Sequence, residues 1–482
     1  MKSLLVCRLA PLLILAALLT LAACDTGAKH AISVITDQTT TLGEPLTVPV
    51  TITGATSATV TATSSDQTIV PDVNIDVTGS GTDYTLTITP SATTSGTATI
   101  TVSAAANGKS VTRAFDVAVE QPFVGSEVEL KGLNNEVIGE AVAVSEDYLV
   151  AGGIEYAYVF WRVDDEWKPM AKLTASDAGP GQFFGNSVAV SGDVIVVGSD
   201  RHGGGAAYVF ERVSNSWTEV DKLVDPLPAL QDTFGRSVAI DGDTIIVGAI
   251  GDENLGVDSG SVFVFTKQDL GGWSLCGKLG PADPVDSDTF GQDVDIDGTY
   301  LIAGNYGHDA ATVDAAGSAT IYRLDGGVWT IDDTLSPTGL EAGDHFGISV
   351  AISGEFALVG SVSDDDAGLN AGAVYVYHRG ESGWTEVDKL TPDNAAEHEA
   401  FGYNVALDYP YAVVGAYNDD EPFSRAGSAY VYRHDGTTWH LVAELDAPEP
   451  KVEERFGWDV DVAGEHLVVM GGEGPIVVAF RR

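Results

Sequence analysis

The sequence predicts an all-β protein in which a seven-bladed β-propeller follows a small β-sandwich. A motif that opens with Phe-Gly begins at Phe184, Phe234, Phe290, Phe346, Phe401 and Phe456, and a weaker copy begins at Ile138. The copies recur every 46 to 56 residues. Each copy except the last contains four short strand patterns, and the mature chain shows no long helical period. Repeated four-stranded units at this period are typical of propeller blades, so seven copies predict seven blades.

The copy from Phe234 shows the four strand patterns. Ser237–Ile240 and Thr244–Val247 come first and are joined by a turn at Asp241–Asp243, whose glycine supplies the positive φ that tight hairpins need. Val262–Phe265 and Trp273–Leu279 are the third and fourth patterns. All four are short and rich in β-branched and aromatic residues.

The two ends of the repeat array predict how the ring closes. The last copy, Phe456–Arg482, has three strand patterns and lacks the fourth, which reads SGWTEVDKL at Ser382–Leu390. A matching segment, Ser126–Leu133, precedes the first copy. We expect this segment to form the outer strand of the last blade, because pairing the two ends of the ring removes open sheet edges.

The N-terminus has the features of a targeting segment. Lys2 and Arg8 are positive, and the apolar run Leu9–Ala22 is too short to span a membrane. Leu21–Cys24 (LAAC) resembles the lipobox of bacterial lipoproteins, which implies a signal peptide over residues 1–23 and a lipid on Cys24. The resemblance places the protein at the bacterial cell envelope, lipid-anchored and either periplasmic or surface-exposed. An ordinary signal peptide and an uncleaved anchor are the alternatives.

A second domain is expected between a tether at residues 24–30 and a propeller at residues 124–482. Residues 31–120 are rich in Thr, Ser, Val and Ala, and they contain alternating stretches at Leu46–Ile52, Ala58–Ala62, Tyr84–Ile88 and Ala98–Val102. Short, turn-bounded strands of this kind predict a β-sandwich. Ser64–Gly81 resembles the Ig- or cadherin-like modules of bacterial surface proteins, which usually act as spacers.

The repeat itself resembles the FG-GAP repeat of integrin alpha chains and of bacterial surface proteins. The likeness rests on Phe234-Gly235, Val247–Ala249, Gly260–Phe265 and Trp273, and it extends over about Val124 to Arg482. It implies that the Phe-Gly pairs have a structural role. These pairs are Phe184 and Gly185, Phe234 and Gly235, Phe290 and Gly291, Phe346 and Gly347, Phe401 and Gly402, and Phe456 and Gly457.

The resemblance also implies where ligands bind. In integrins, the loops that join strand two to strand three, and strand four to the next strand one, share the ligand-binding face. Here those loops are acidic, and the candidate binding residues in them are Asp252, Glu253, Asp364, Asp365, Asp366, Asn418, Asp419 and Asp420. They are candidate cation ligands, although Asp and Asn are also favoured in ordinary turns.

The chain lacks the calcium-binding loops that are found in integrins. The integrin calcium sites lie in enlarged DxDxDG loops between strands one and two. Here those turns have two or three residues, as at Ser353–Glu355, and offer too few oxygens for the 6–8 ligands of Ca²⁺. The integrin sites are therefore not carried over, and the metal and cofactor content is not fixed by the sequence.

The charge of the chain limits its partners. The sequence has 24 Lys and Arg against 70 Asp and Glu, a net charge of −46, which disfavours nucleic acid and suits a saline medium or a cationic partner. Motifs of the HExxH, GxSxG, P-loop and CxxC kinds are absent. We expect a non-enzymatic, envelope-anchored protein that binds an extracellular or envelope protein or glycan in adhesion or surface assembly. A polysaccharide hydrolase or lyase and a calcium-stabilised scaffold are the alternatives.

Overall fold

The computed structural model describes residues 30–481 apart from residues 42, 44, 92–93, 95, 107, 121–127, 131–137, 164–165, 230, 254–258, 285–287, 310–312, 314, 338, 393–396, 421–422 and 473–475. The predicted signal segment, Cys24 and most of the predicted tether lie outside these residues. The chain divides into two compact units, Met1–Gln121 and Pro122–Arg482. Among the described residues, no helix has the length and apolar character needed to cross a bilayer.

The first unit contains two four-stranded sheets. One has the strand order β1-β3-β6-β5 and the other β2-β8-β7-β4. A short 3-10 helix, Asp72–Asn74, lies between β4 and β5. The strands are β1 Ala31–Ile32, β2 Gln38–Thr41, β3 Leu46–Thr53, β4 Thr59–Ser64, β5 Ile75–Ser80, β6 Asp83–Ile88, β7 Gly96–Ala106 and β8 Lys109–Glu120.

Alternation along these strands produces one core. In β3, the side chains of Val48, Val50 and Ile52 are buried while Pro49 and Thr51 between them are exposed, because successive side chains of a strand point to opposite faces. They belong to the same buried cluster as Ile100 of β7 and Phe115 of β8. The two sheets therefore bury their apolar faces in a shared core.

The second unit contains seven four-stranded antiparallel sheets among its described residues. Each is formed by consecutive strands except the last, which takes its fourth strand from β9. The strands are β9 Val128–Leu130; β10 Val142–Val144, β11 Tyr148–Gly153, β12 Tyr156–Val163, β13 Glu166–Leu173; β14 Phe184–Ser191, β15 Val194–Ser199, β16 Ala206–Val213, β17 Ser216–Leu223; β18 Val238–Asp241, β19 Thr244–Ala249, β20 Ser261–Lys267, β21 Trp273–Leu279; β22 Val294–Asp297, β23 Tyr300–Asn305, β24 Ser318–Asp325, β25 Val328–Leu335; β26 Phe346–Ser353, β27 Phe356–Ser361, β28 Ala373–Gly380, β29 Gly383–Leu390; β30 Phe401–Asp408, β31 Tyr411–Ala416, β32 Ser428–His434, β33 Trp439–Asp446; β34 Phe456–Ala463, β35 His466–Gly471 and β36 Val477–Arg481.

The seventh sheet joins the two ends of the unit. Its order is β34-β35-β36-β9, and the pairs Val477 with Leu130, Val478 with Glu129 and Ala479 with Val128 align β36 antiparallel to β9. This is the pairing that the sequence led us to expect. It also leaves no unpaired edge on β36, the strand that would otherwise end the array.

The Phe-Gly pair of each repeat packs where one sheet meets the next. The phenylalanines from Phe184 to Phe456 are at most 1% exposed. The glycines that follow them have φ between 82° and 104°. A Cβ atom on any of the six would lie 2.2–2.8 Å from a carbonyl oxygen at the start of the preceding sheet's third strand. Conformation and close approach both require glycine at these positions.

Consecutive sheets are also linked by side chains at the ends of their inner strands. An oxygen of the side chain accepts a hydrogen bond from a backbone N–H in the turn of the next sheet. The bonds are Ser191 with Gly242 at 3.3 Å, Asp241 with Gly298 at 2.8 Å, Asp297 with Gly354 at 2.6 Å, Ser353 with Tyr409 at 3.3 Å, and Asp408 with Gly464 at 2.6 Å. These five turns have two residues each, within the two or three that the sequence predicted, and the four that contain a glycine have it at φ of 52–61°.

Candidate binding channel and loop face

The inner strands of the seven sheets line a channel of about 820 Å³. The channel extends from the Phe-Gly ends of these strands to the two-residue turns at their other ends. Ten acidic side chains and two basic ones line it. A cavity with low-dielectric walls and an excess of one charge concentrates counter-ions, so the channel favours positively charged groups.

Four channel aspartates are held by the neighbouring sheet. Each accepts a hydrogen bond through Oδ2 from a backbone N–H of the next inner strand. The pairs are Asp293 with Val350 at 2.8 Å, Asp295 with Ile352 at 2.8 Å, Asp459 with Val142 at 2.7 Å, and Asp461 with Val144 at 2.6 Å. They occur only in sheets four and seven. The position of Asp295 and Asp461 is alanine in the other five repeats, namely Ala143, Ala189, Ala239, Ala351 and Ala406.

Burial disfavours the charged form of these carboxyl groups. It raises the pKa of Asp293 to about 6, of Asp461 to about 7 and of Asp295 to about 8, and it places the pKa of Asp459 well above its usual value. The backbone N–H donors lower each pKa, but less than burial raises it. Repulsion between the carboxyl groups adds to the increase for Asp295 and Asp459. Protons therefore neutralise part of the channel near neutral pH.

These pKa values predict an unusual dependence of stability on pH. A carboxyl group whose pKa is raised by folding stabilises the fold below its unfolded value of 3.8, and this contribution is lost as pH rises through the folded value. Asp461 and Asp295 should therefore make the protein less stable by about 1–3 kcal/mol between pH 6 and pH 8. Urea unfolding at a series of pH values measures this loss.

The variant Asp295→Ala/Asp461→Ala is the matched control for this effect. It restores the alanine that the other repeats carry, so it should fold, should be more stable than the wild type at pH 8, and should show a flatter pH profile. His345 and His434, whose pKa is lowered by burial, oppose the effect toward pH 6 in both proteins. An unchanged profile in the variant would contradict the assignment.

Aromatic side chains gather at the Phe-Gly mouth of the channel. The ring centroids of Tyr403 and Tyr417 are 4.5 Å apart, and that of Trp458 lies 4.9 Å from Tyr403 and 5.2 Å from Tyr417. Burial raises the pKa of Tyr403 to about 12, while the positive charge of Arg236 opposes this rise. The mouth therefore offers π faces beside an acidic channel, an arrangement suited to cations and planar guanidinium groups.

The structure buries three of the predicted binding residues. Asp252, Asp364 and Asp419 each lie three residues after the second strand of their sheet and are at most 2% exposed. Asp364 accepts a hydrogen bond from the Tyr375 hydroxyl at 2.9 Å and lies 2.8 Å from the Lys389 Nζ. Asp419 accepts one from the Tyr430 hydroxyl at 2.8 Å. These carboxylates connect the loop to the outer strands of the sheet.

The other candidate residues are more accessible. Glu253, Asp365, Asp366 and Asp420 are exposed, and Asn418 is half-buried. Asp365 and Asp420 accept backbone N–H bonds within their own loops, from Asn370 and Arg425. Asp366 lies 2.6 Å from the Lys389 Nζ. Turn formation, the alternative reading of these residues, thus accounts for Asp365 and Asp420.

A second set of acidic residues recurs with the repeats, and the sequence did not lead us to predict its burial. Two residues before the phenylalanine of each of five repeats stands a buried carboxyl group, at most 5% exposed: Asp232, Asp288, Asp344, Glu399 and Glu454. Side-chain oxygens of Asp232, Asp344 and Glu454 accept the backbone N–H three residues earlier. The sequence feature that could have identified them is their position two residues before Phe-Gly, which distinguishes them from the exposed acidic residues of the same loops.

Seven four-stranded sheets around a channel, as the described residues form them, make the second unit a β-propeller. The FG-GAP repeat model matches residues 167–210, 217–265, 273–322, 329–377 and 384–432, which together make up half of the chain. Each match begins at the tryptophan of a fourth strand. The chain therefore belongs to the FG-GAP repeat family.

Solved structures with some similarity to the chain are distant in sequence. Kluyveromyces lactis Hsv2 is 9% identical, with 72% of this chain and 94% of that chain covered and a TM-score of 0.43. The β-propeller domain of the Trilobed protease from Pyrococcus furiosus is 10% identical over 71% and 95%, with a TM-score of 0.41. The titin M3 domain is 18% identical over 19% and 97%, with a TM-score of 0.17. The search of curated proteins gave no match.

Proposed function

We propose that this protein is a binding protein whose propeller receives a positively charged segment of a partner protein in its channel. The acidic lining of the channel carries the proposal, because ten carboxyl groups face two guanidinium groups there. The raised pKa values of Asp295 and Asp461 support it, since they reflect negative charge that is poorly solvated and uncompensated by cations. A lysine or arginine side chain would supply the missing charge.

The aromatic mouth supports the same class of partner. Tyr403 and Trp458 line the channel at this mouth, and cations are attracted to aromatic ring faces. The Arg201 guanidinium already lies 3.8 Å from the centroid of the Phe183 ring at this mouth. A partner segment that combines basic and planar side chains would contact both the rings and the carboxyl groups.

We also propose that the protein lies at the bacterial envelope and that it is not an enzyme. A lipid on Cys24 would hold the protein at the bacterial envelope, and the partner would be an envelope or extracellular protein in adhesion or surface assembly. The net charge of −46 argues against nucleic acid as a partner. We expect no turnover of polysaccharides, and activity on a polysaccharide panel that is lost in channel variants would favour the hydrolase or lyase instead.

Binding of a fluorescently labelled oligo-arginine peptide to the full chain tests the proposal. Fluorescence anisotropy should show saturable binding that weakens with added salt and at pH 6 relative to pH 8, where more channel carboxyl groups are ionised. The variant Asp295→Ala/Asp461→Ala should weaken binding by about tenfold or more, as expected for losing close charge pairs at an interface.

The control variant Asp269→Ala/Asp325→Ala removes the same number of carboxyl groups from exposed positions where third and fourth strands are connected: Asp269 lies in a turn, and Asp325 is the last residue of β24. It should bind the peptide almost as well as the wild type. Equal weakening by both variants would show that the peptide senses only the overall charge, which would refute channel binding. Competition by neutral oligosaccharides without salt dependence would point to a glycan partner.

A further inference from the structure

Three buried aspartates converge beside the third sheet of the propeller. Asp225 and Asp232 lie in the loop between β17 and β18, and Asp252 lies in the loop after β19. Their exposed fractions are 4%, 3% and 0%. One carboxylate oxygen from each lies within 4.8 Å of the others. Among the described residues, this is the only group of three or more potential metal ligands that meets so closely.

The protein leaves one oxygen of this cluster without a hydrogen bond. Asp225 Oδ1 accepts the Leu227 N–H at 2.7 Å, but its Oδ2 is buried and has no hydrogen-bond donor among the described residues. The nearest cation, the Lys278 Nζ, is 3.8 Å from that oxygen and 2.6 Å from Asp252 Oδ2. The cluster thus places three carboxyl groups around a single ammonium group. Buried charge is costly unless it is paired or coordinates a metal.

The other repeats show that Asp225 is the unusual member. Asp225 stands two residues after Leu223, and the repeats share a leucine at this position near the end of the fourth strand. Five other repeats have Ala or Pro there: Ala175, Pro281, Pro337, Pro392 and Ala447. Acidic residues at the positions of Asp232 and Asp252 recur in other sheets, as at Asp344 and Asp364. A packing role therefore explains Asp232 and Asp252 but not the third carboxyl group, which converts a pair into a three-oxygen cluster.

We propose that Asp225, Asp232 and Asp252 bind one divalent cation of the Ca²⁺ or Mg²⁺ type. The donor set consists only of carboxylate oxygens, which these hard cations prefer. A charge of +2 would offset most of the negative charge of the cluster and would give Asp225 Oδ2 a partner. Lys278, whose side chain is 27% exposed, has room to turn toward solvent as the cation enters. The site is distinct from the channel and from the two-residue turns.

Burial raises the pKa of Asp225 and of Asp232, and the neighbouring carboxyl groups add to the rise. Asp225 lies in a loop between strands four and one, whereas the integrin calcium loops lie between strands one and two. In the sequence, Asp225 could have been recognised as an acidic residue at a position where five other repeats have Ala or Pro.

Calorimetric titration of the full chain with CaCl₂ or MgCl₂ at high ionic strength tests the site, because salt screens the exposed carboxylates. The wild type should bind one equivalent more than Asp225→Ala, or bind it about a hundredfold more tightly. The control Asp283→Ala removes an exposed aspartate from the corresponding loop of the next repeat and should match the wild type. Identical titrations of the wild type and Asp225→Ala would overturn the proposal.

Melting temperatures provide a second test that depends on the sign of the effect. In chelator, Asp225→Ala should melt above the wild type, because the substitution removes repulsion and restores the alanine of two other repeats. In saturating Ca²⁺ or Mg²⁺ the order should reverse, since only the wild type gains stability from binding. A variant that melts below the wild type in chelator would assign Asp225 a structural role and would overturn the proposal.

Discussion

Replacing Phe346 by alanine should lower the free energy of unfolding by about 3–5 kcal/mol, as other buried Phe truncations do. The ring is fully buried and lies edge-on to Tyr375 and Tyr377, with centroids 5.3 and 6.4 Å away. Its cluster includes Ile321 of the fourth sheet as well as Val359 of its own. The substitution would leave a cavity between two rigid sheets that cannot collapse to fill it. Urea unfolding of the full chain measures the loss.

Phe423→Ala is the matched control for this substitution. Phe423 is 49% exposed and lies in a loop of the sixth sheet. Its truncation should change the free energy of unfolding by less than about 0.5 kcal/mol, as is usual on the surface. If Phe346→Ala cost no more than Phe423→Ala, the Phe-Gly positions would not be the main contacts between sheets.

Replacing Gly347 by alanine should be nearly as damaging. The residue has φ of 90°, and an added Cβ would lie 2.2 Å from the carbonyl oxygen of Ser318 in the preceding sheet. The backbone conformation costs about 1–2 kcal/mol for a residue with a side chain, and overpacking adds about 1–3 kcal/mol. We therefore expect a loss of about 2–5 kcal/mol, measured by the same unfolding experiment.

Gly354→Ala separates the two contributions. Gly354 lies in the turn of the same sheet with φ of 61°, and a Cβ atom there would meet nothing within 4 Å. Only the conformational term of about 1–2 kcal/mol applies to it. Equal losses at Gly347 and Gly354 would mean that the sheets move apart to accept the methyl group.

The fold could be predicted because its signals are local and repeated. Phe234-Gly235 and its copies set the period, and the short turns, such as Gly242–Asp243, followed from a glycine between strand patterns. The pairing of β9 with β36 followed from the fourth strand missing after Phe456. Each inference needed only spacing along the chain, and the repetition of the pattern removed the ambiguity that a single short strand would have.

The candidate binding site was harder to predict than the fold. The sequence shows that a loop is acidic, but it does not show which carboxyl oxygens are buried. Asp364 and Asp365 are neighbours, yet Asp364 is buried against Tyr375 and Lys389 while Asp365 is exposed. The channel carboxyl groups, such as Asp295, stand inside the first strand of their repeats, where the sequence pattern gives no sign of a binding role. Their meeting around one channel depends on ring closure, which places residues from distant repeats side by side.

The closing pair of strands has a mechanical consequence. In the antiparallel register, Val128 at the start of β9 is opposite Ala479 near the end of β36. A pulling force between the segment before Val128 and the segment after Ala479 would act at the same end of this pair. The backbone hydrogen bonds between β9 and β36 would then bear the force and break one after another, starting from that end, and not all at once. The ring should therefore open under tension at this seam first, while the other six sheets, whose four strands are consecutive in the chain, remain intact.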